Sequence, residues 1–147
     1  MIYLDSSAVV KLVHAEPGTR ELVAWLADHV ATALVSSVLV EVEVPRALVR
    51  HAPAALVGVP GVLARLHRVE IDATIRATAA AFPDPSLRSL DAIHLATAHL
   101  LTTGSSEGLG AFVAYDQRLL AAARAVGLPV VIPGGHRRAD RGREDGP

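Results

Sequence analysis

The stretch Ile2-Tyr3-Leu4-Asp5 determines the fold class: three apolar residues typical of a short buried strand end in an acid. The chain repeats this pattern where the apolar run Phe112-Val113-Ala114-Tyr115 ends in Asp116. Such runs alternate with helical segments, which predicts an α/β fold with helices on both faces of a mainly parallel sheet. Ligands of these sheets bind at the carboxyl ends of the strands, where the winding order reverses. If the two strands are neighbours at that reversal, Asp5 and Asp116 come together.

The remaining elements follow from apolar periodicity, helix caps and the positions of Gly and Pro. Ser6 or Ser7 is expected to cap a helix ending at Val13, and Pro17 to lie near the first turn of a second helix ending near His29. The other predicted helices are 38–51, 54–66, 73–81, 90–102 and 117–126. Further strands are predicted at 32–35, 69–71 and 130–132, so that the sheet has four to five strands.

Composition narrows the class of protein. At 147 residues the chain fits one domain, and the absence of Cys excludes disulfides and zinc ribbons. Neither an apolar run of about 18 residues nor a signal peptide is seen, so a cytoplasmic protein without a membrane span is expected. The formal net charge of −1 does not by itself indicate nucleic-acid binding. Residues 134–147 contain no apolar side chain larger than Ala, which predicts a disordered Arg- and Gly-rich tail.

Two further acids lie in segments where surface charge is not expected. Asp91 opens an apolar helical stretch, and Glu43 lies within Val38-Leu39-Val40-Glu41-Val42-Glu43-Val44. Asp5, Asp91 and Asp116 each stand at a helix start and so have an alternative role in capping. Three or four carboxylates brought together shift their pKa values upward or bind a cation. Hard oxygen ligands without Cys favour Mg²⁺ or Mn²⁺, whose chemistry in such sites is hydrolysis of phosphate esters.

Glu41 and Glu43 cannot both face such a site if their segment is helical, because their side chains then point about 200° apart. The alternation Val-Glu-Val-Glu-Val equally suits a strand with both acids on one face. Periodicity therefore leaves open which of the two acids is used.

Four segments in order resemble PIN-domain proteins, and in particular the VapC-type toxins of bacterial toxin–antitoxin pairs. They are Met1-Ile2-Tyr3-Leu4-Asp5-Ser6-Ser7-Ala8, Val42-Glu43-Val44-Pro45-Arg46-Ala47-Leu48, Ser89-Leu90-Asp91-Ala92-Ile93-His94-Leu95-Ala96-Thr97-Ala98 and Tyr115-Asp116-Gln117-Arg118-Leu119-Leu120-Ala121-Ala122-Ala123. The resemblance extends over residues 1–133, which it marks as a PIN-like nuclease domain. It implies a Rossmann-like three-layer α/β/α sandwich and a Mg²⁺-dependent endoribonuclease that forms a homodimer and is inhibited by a cognate antitoxin.

The family's acidic quartet falls on Asp5, Glu43, Asp91 and Asp116 as catalytic residues. Asp5, Asp91 and Asp116 are the expected metal ligands, and Ser6 matches a small hydroxyl residue that supports the site. The spacing from the Glu to Arg46-Ala47 selects Glu43 over Glu41. A processing nuclease without an antitoxin, or a non-catalytic module that binds RNA or a protein partner, are the alternatives on the same fold.

Two expectations concern residues outside the quartet. His94 lies three residues after Asp91; a role in helix packing is preferred over one as a substrate contact at the edge of the pocket. Helices 38–51 and 54–66 carry more apolar side chains than the core can cover, and part of this surface is expected to contact a second subunit or the antitoxin. These side chains are Val49, Leu56, Val57, Val59, Val62 and Leu63.

Overall fold

A computed structural model describes residues 1–104 and 108–135. Within them the strands are β1 (Ile2–Leu4), β2 (Leu34–Ser37), β3 (His67–Val69), β4 (Ala111–Val113) and β5 (Val130–Val131). The α-helices are α1 (Ser6–Val13), α2 (Thr19–Ala27), α3 (Val40–His51), α4 (Val59–Leu63), α5 (Ala73–Ala81), α6 (Ser89–Gly104) and α7 (Gln117–Ala125). A 3₁₀ helix, Pro53–Gly58, precedes α4.

The five strands form one parallel sheet in the order β3-β2-β1-β4-β5. The chain builds the sheet outward from β1 through β2 to β3, and then returns to place β4 on the other side of β1. The winding order therefore reverses between β1 and β4, where Leu4 is in register with Val113. This confirms that the first and fourth strands are neighbours, and it brings the ends of both to one edge of the sheet.

Each face of the sheet carries its own hydrophobic core because successive side chains of a strand point to opposite faces. Ile2 and Leu4 pack with residues of α1 to α4 on one face. Tyr3 and Phe112 pack with residues of α6 and α7 on the other, and their rings stack 5.4 Å apart. The result is the three-layer α/β/α arrangement expected from the sequence.

The predicted beginnings of the first two helices are wrong. Asp5, not Ser6 or Ser7, is the N-cap of α1, and its Oδ1 accepts a 3.1 Å hydrogen bond from the Ala8 N–H. Helix α2 begins at Thr19 after Gly18, whose φ of 89° suits glycine, so Pro17 precedes the helix.

Two strands and one helix also differ from their predicted positions. Strand β2 begins and ends two residues late because Ser36 and Ser37 belong to it; the buried Ser36 hydroxyl is satisfied by the Leu4 carbonyl at 2.6 Å. Strand β3 lies two residues early because it is an edge strand whose His67 and Arg68 are exposed, so apolarity does not mark it. The single helix predicted at 54–66 is instead the 3₁₀ helix and α4, each with Pro in its first two positions.

The last two predictions concern membrane-spanning helices and the C-terminal tail. Among the residues that the structure describes, no helix is both long and apolar enough to cross a membrane. The predicted disordered tail lies, from residue 136 onward, outside the described residues.

Candidate active site

Asp5 ends β1 and is held rigidly at the edge of the sheet. Its backbone N–H donates to the Val113 carbonyl of the neighbouring strand at 3.0 Å, and its Oδ1 accepts from the Ser7 hydroxyl at 2.6 Å as well as from Ala8. The side chain is buried, with 5% of the residue exposed. Burial raises the pKa of Asp5, and the charge of His94 and the hydrogen bonds from Ser7 and Ala8 oppose this rise without cancelling it.

Asp116 lies three residues after β4, because this strand, expected over residues 112–115, ends at Val113. It is the N-cap of α7, and its Oδ1 accepts from the backbone N–H groups of Arg118 at 2.9 Å and Leu119 at 3.1 Å. Its Oδ2 lies 3.8 Å from the Arg118 guanidinium. The capping role considered for Asp5 and Asp116 is therefore real, but in both residues the cap uses Oδ1.

Asp91 shares an electrostatic environment with the other acids. It lies in the first turn of α6, and partial burial raises its pKa. The negative charge of Asp116 raises this pKa further and that of Glu43 adds to the effect, whereas His94 and Arg88 lower it. The charges of Asp116 and Glu43 therefore both act on Asp91.

Glu43 faces the same edge from α3, and Glu41 does not. The Glu43 Oε2 accepts hydrogen bonds from the Ser6 hydroxyl at 2.5 Å and from His94 Nε2 at 2.7 Å. Burial raises the pKa of Glu43, but the hydrogen bond and charge of His94, with the bond from Ser6, outweigh it and leave the pKa below its ordinary value. Glu41 is exposed and forms an ion pair with Arg68 at 2.8 Å. The helical alternative for this segment is the one observed.

His94 has a larger part in the site than the sequence suggested. It does pack within α6, with 2% of the residue exposed, but both of its ring nitrogens also have polar partners. Nε2 contacts Glu43, and Nδ1 lies 2.8 Å from the Tyr3 hydroxyl. The signal available in the sequence was the spacing of three residues from Asp91, which places both side chains on one face of a helix.

The donor chemistry of these carboxylates suits a hard divalent cation. Within residues 1–104 and 108–135, no group of three His, Asp or Glu side chains is arranged so that it could hold a metal ion as it stands. Mg²⁺ does not require such a cage, since proteins usually bind it through one or two carboxylates and leave several waters in place. Asp5, Asp91 and Asp116 are the ligands that the family resemblance leads us to expect.

Comparison with known proteins agrees with this architecture. The PIN domain family model matches residues 2–127. Ribonuclease VapC35 of Mycobacterium tuberculosis is 54% identical over 134 residues, which are 91% of this chain and 98% of that protein. Ribonuclease VapC46 of the same organism is 39% identical over 90% of this chain and 97% of its own length. Ribonuclease VapC47 of Mycobacterium tuberculosis is 36% identical over 91% of this chain and 98% of its own length. No solved structure matches the chain significantly.

The chain therefore belongs to the PIN-domain family, which the five-stranded parallel sheet and its flanking helices independently support. Its resemblance to the VapC-type members of that family is confirmed by the identity with VapC35 over most of both chains.

Proposed function

We propose that this protein is a Mg²⁺-dependent endoribonuclease that acts in the cytoplasm as the toxin of a toxin–antitoxin pair. The observation that carries the proposal is the placement of acids at one edge of the sheet, where Asp5 follows β1 and Asp116 follows the neighbouring β4. Glu43 joins them through its hydrogen bond from Ser6, and the charges of Asp116 and Glu43 raise the pKa of Asp91. The names of the relatives, which are ribonucleases, support RNA as the substrate.

The proposed reaction is hydrolysis of a phosphodiester bond. Asp5, Asp91 and Asp116, together with waters, would hold Mg²⁺, which when bound would supply positive charge for the phosphate and favour ionisation of a water. Glu43 orients the attacking water and accepts its proton. The oxygen of that water bonds to phosphorus as the bond from phosphorus to the leaving ribose oxygen breaks, and solvent returns a proton to the leaving oxygen. Arg88 and Arg118 lie beside the acids and offer guanidinium groups to neighbouring phosphates.

The test is cleavage of RNA by the purified full chain with Mg²⁺, Mn²⁺ or EDTA. We expect cleavage with either metal, none with EDTA, and a loss of at least about 100-fold in Asp5→Asn and Asp91→Asn. Glu70→Gln changes an exposed acid that has no described side-chain contact with the four acids, and it serves as the control. Cleavage that survives both substitutions, or that is indifferent to EDTA, would contradict the proposal, and binding of RNA without cleavage would favour a non-catalytic module.

The toxin role has its own test. Induced expression of the chain should arrest growth of a bacterial host, and coexpression of the neighbouring small gene, as antitoxin, should restore it. Arrest that persists in Asp5→Asn, or the lack of any neighbouring gene that relieves it, would favour a processing nuclease instead.

We also propose that the protein forms a homodimer. Val42, Val49 and Val57 are 63%, 50% and 89% exposed on α3 and the 3₁₀ helix. The other four side chains of the expected surface are covered by the core: Val59 is buried, and Leu56, Val62 and Leu63 pack against it. We propose that a second copy of the chain covers part of this surface, because clustered exposed valines are typical of interfaces.

A further inference from the structure

His94 connects two helices and a strand through its two ring nitrogens. Nε2 lies 2.7 Å from Oε2 of Glu43 on α3, and Nδ1 lies 2.8 Å from the hydroxyl of Tyr3 on β1. Tyr3 is fully buried, and its hydroxyl accepts a 3.1 Å hydrogen bond from the Ser37 N–H. The four groups form a continuous chain from the backbone of β2 to a carboxylate of the site.

The direction of the bond to Glu43 follows from its acceptor. An ionised carboxylate only accepts, so Nε2 of His94 carries a hydrogen and donates it to Glu43. The Tyr3 hydroxyl, which accepts from the Ser37 N–H, contacts the other ring nitrogen, Nδ1, and so fixes the orientation of the ring.

Ser6 is a second hydrogen-bond donor to the Glu43 carboxylate. Its hydroxyl donates to the same oxygen of Glu43 at 2.5 Å and lies 3.2 Å from His94 Nε2. Both bonds to Glu43 therefore fall on Oε2, and no described residue bonds Oε1. Because no buried polar side-chain atom of the described residues lacks a partner, Oε1 reaches the surface. One carboxylate oxygen is anchored and the other reaches solvent.

We propose that His94 and Tyr3 are positioning residues that anchor Oε2 of Glu43 and thereby aim Oε1 at the attacking water. The inference rests on the proposed ribonuclease activity and adds two residues to its machinery. It differs from a role in packing alone, which requires the volume of the ring but not a donor at Nε2.

Kinetics of RNA cleavage separate these two roles. Removing the donor in His94→Phe should lower kcat by about 10- to 100-fold with little change in KM, as is typical when a partner of a site residue is removed. His94→Gln places an amide N–H near the position of Nε2 and should recover most of that loss. His99→Gln, on the same helix and without a described contact to Glu43, is the matched control and should behave as wild type.

A double-mutant cycle tests whether His94 acts through Glu43. In a Glu43→Gln background, single-turnover cleavage should fall less than about twofold further when His94→Phe is added, since residues that act as a unit are not additive. Fully additive losses would overturn the proposal. So would a His94→Gln variant that folds as wild type but is as slow as His94→Phe.

A spectroscopic test does not depend on activity. Ring nitrogen chemical shifts of the full, metal-free chain should show a hydrogen at Nε2 of His94, and His94→Gln assigns the signal among the seven histidines. Tyr3→Phe should keep that hydrogen, because Glu43 still accepts it, and should shift the Nδ1 resonance, because Nδ1 loses its partner. A wild-type ring with a hydrogen at Nδ1 and none at Nε2 would overturn the inference. If wild-type protein fails to cleave RNA while the ring shows the expected state, the proposed function fails but the hydrogen-bonded arrangement stands.

Discussion

The hydroxyl of Ser7 donates a 2.6 Å hydrogen bond to Oδ1 of Asp5, and the Ser7 Oγ in turn accepts a 2.8 Å hydrogen bond from the Tyr115 N–H. One side chain thus connects the turn after β1 with the turn after β4. Asp5 lies in the first turn, and Asp116 directly follows Tyr115 in the second. The relative placement of these two acids depends on Ser7 as much as on the sheet.

Ser7→Ala should therefore lower both stability and activity. The Tyr115 N–H loses its partner, and an unsatisfied buried donor costs about 1–3 kcal/mol of unfolding free energy. Chemical unfolding measures this loss. Thr74→Ala, which removes an exposed hydroxyl on α5, should stay within about 0.5 kcal/mol of wild type. Equal effects of the two substitutions would show that Ser7 does not connect the turns.

Asp91→Asn should stabilise the metal-free protein at neutral pH. Its raised pKa means that the folded state holds the proton to higher pH than the unfolded chain, where the pKa is 3.8. This contribution to stability is fully present below pH 3.8 and is lost as the pH rises through the folded pKa. At a pH above the folded pKa, removing the charge should therefore raise the free energy of unfolding by roughly 0.5–1 kcal/mol, as expected for a partly exposed group.

Urea unfolding in the presence of EDTA, repeated over a range of pH, measures the difference in unfolding free energy between Asp91→Asn and wild type. The two should converge in acid, where Asp91 is protonated in both states of the wild-type chain. Glu70→Gln should show no comparable gain at neutral pH. A variant less stable than wild type at neutral pH would contradict repulsion among Asp91, Asp116 and Glu43.

Lys11→Met should destabilise the fold without touching the acids. Lys11 is buried, and its Nζ donates to Glu16 at 2.9 Å and to the Pro17 carbonyl at 2.8 Å, above the Tyr115 ring. Met keeps the apolar stem but removes both bonds and the cation–π contact, a loss of about 1–3 kcal/mol. Thermal unfolding checks this against Arg20→Met, an exposed control on α2. Equal stabilities would rule out a structural role for the ammonium group.

Val49→Asp combined with Val57→Asp should dissociate the proposed homodimer. Charges placed on a surface that becomes buried oppose association, whereas they cost a monomer little because both positions are exposed. Light scattering should show a dimer for wild type and a monomer for the variant. Val30→Asp, at a position 88% exposed after α2, should remain dimeric. A monomeric wild-type protein would contradict the dimer directly.

The sequence predicted the order of the elements because this order depends on local patterns, and the adjacency of β1 and β4 that it suggested is observed. A short apolar run followed by an acid marks the carboxyl end of a buried strand, and alternation with helices marks a parallel sheet. The limits of β2 were missed because Ser36 and Ser37 are polar, and only their contacts with the Leu4 carbonyl and the Tyr3 hydroxyl allow them to be buried.

The role of His94 was underestimated for a different reason. Its partners Glu43 and Tyr3 are 51 and 91 residues away in the chain, so no local spacing reveals them. The choice of Glu43 over Glu41 likewise depended on family resemblance. In the structure it has a physical basis, since Glu41 pairs with Arg68 on the surface while Glu43 contacts Ser6 and His94.

The most direct measurement is the single-turnover rate of RNA cleavage with Mg²⁺ in the four amide variants Asp5→Asn, Glu43→Gln, Asp91→Asn and Asp116→Asn, compared with Glu41→Gln. Each of the four should lose at least about 100-fold, because each carboxylate acts in the same site. Glu41→Gln should cleave at the wild-type rate, since its side chain faces Arg68 instead. Four variants that cleave as fast as Glu41→Gln would contradict the acidic site as the centre of catalysis.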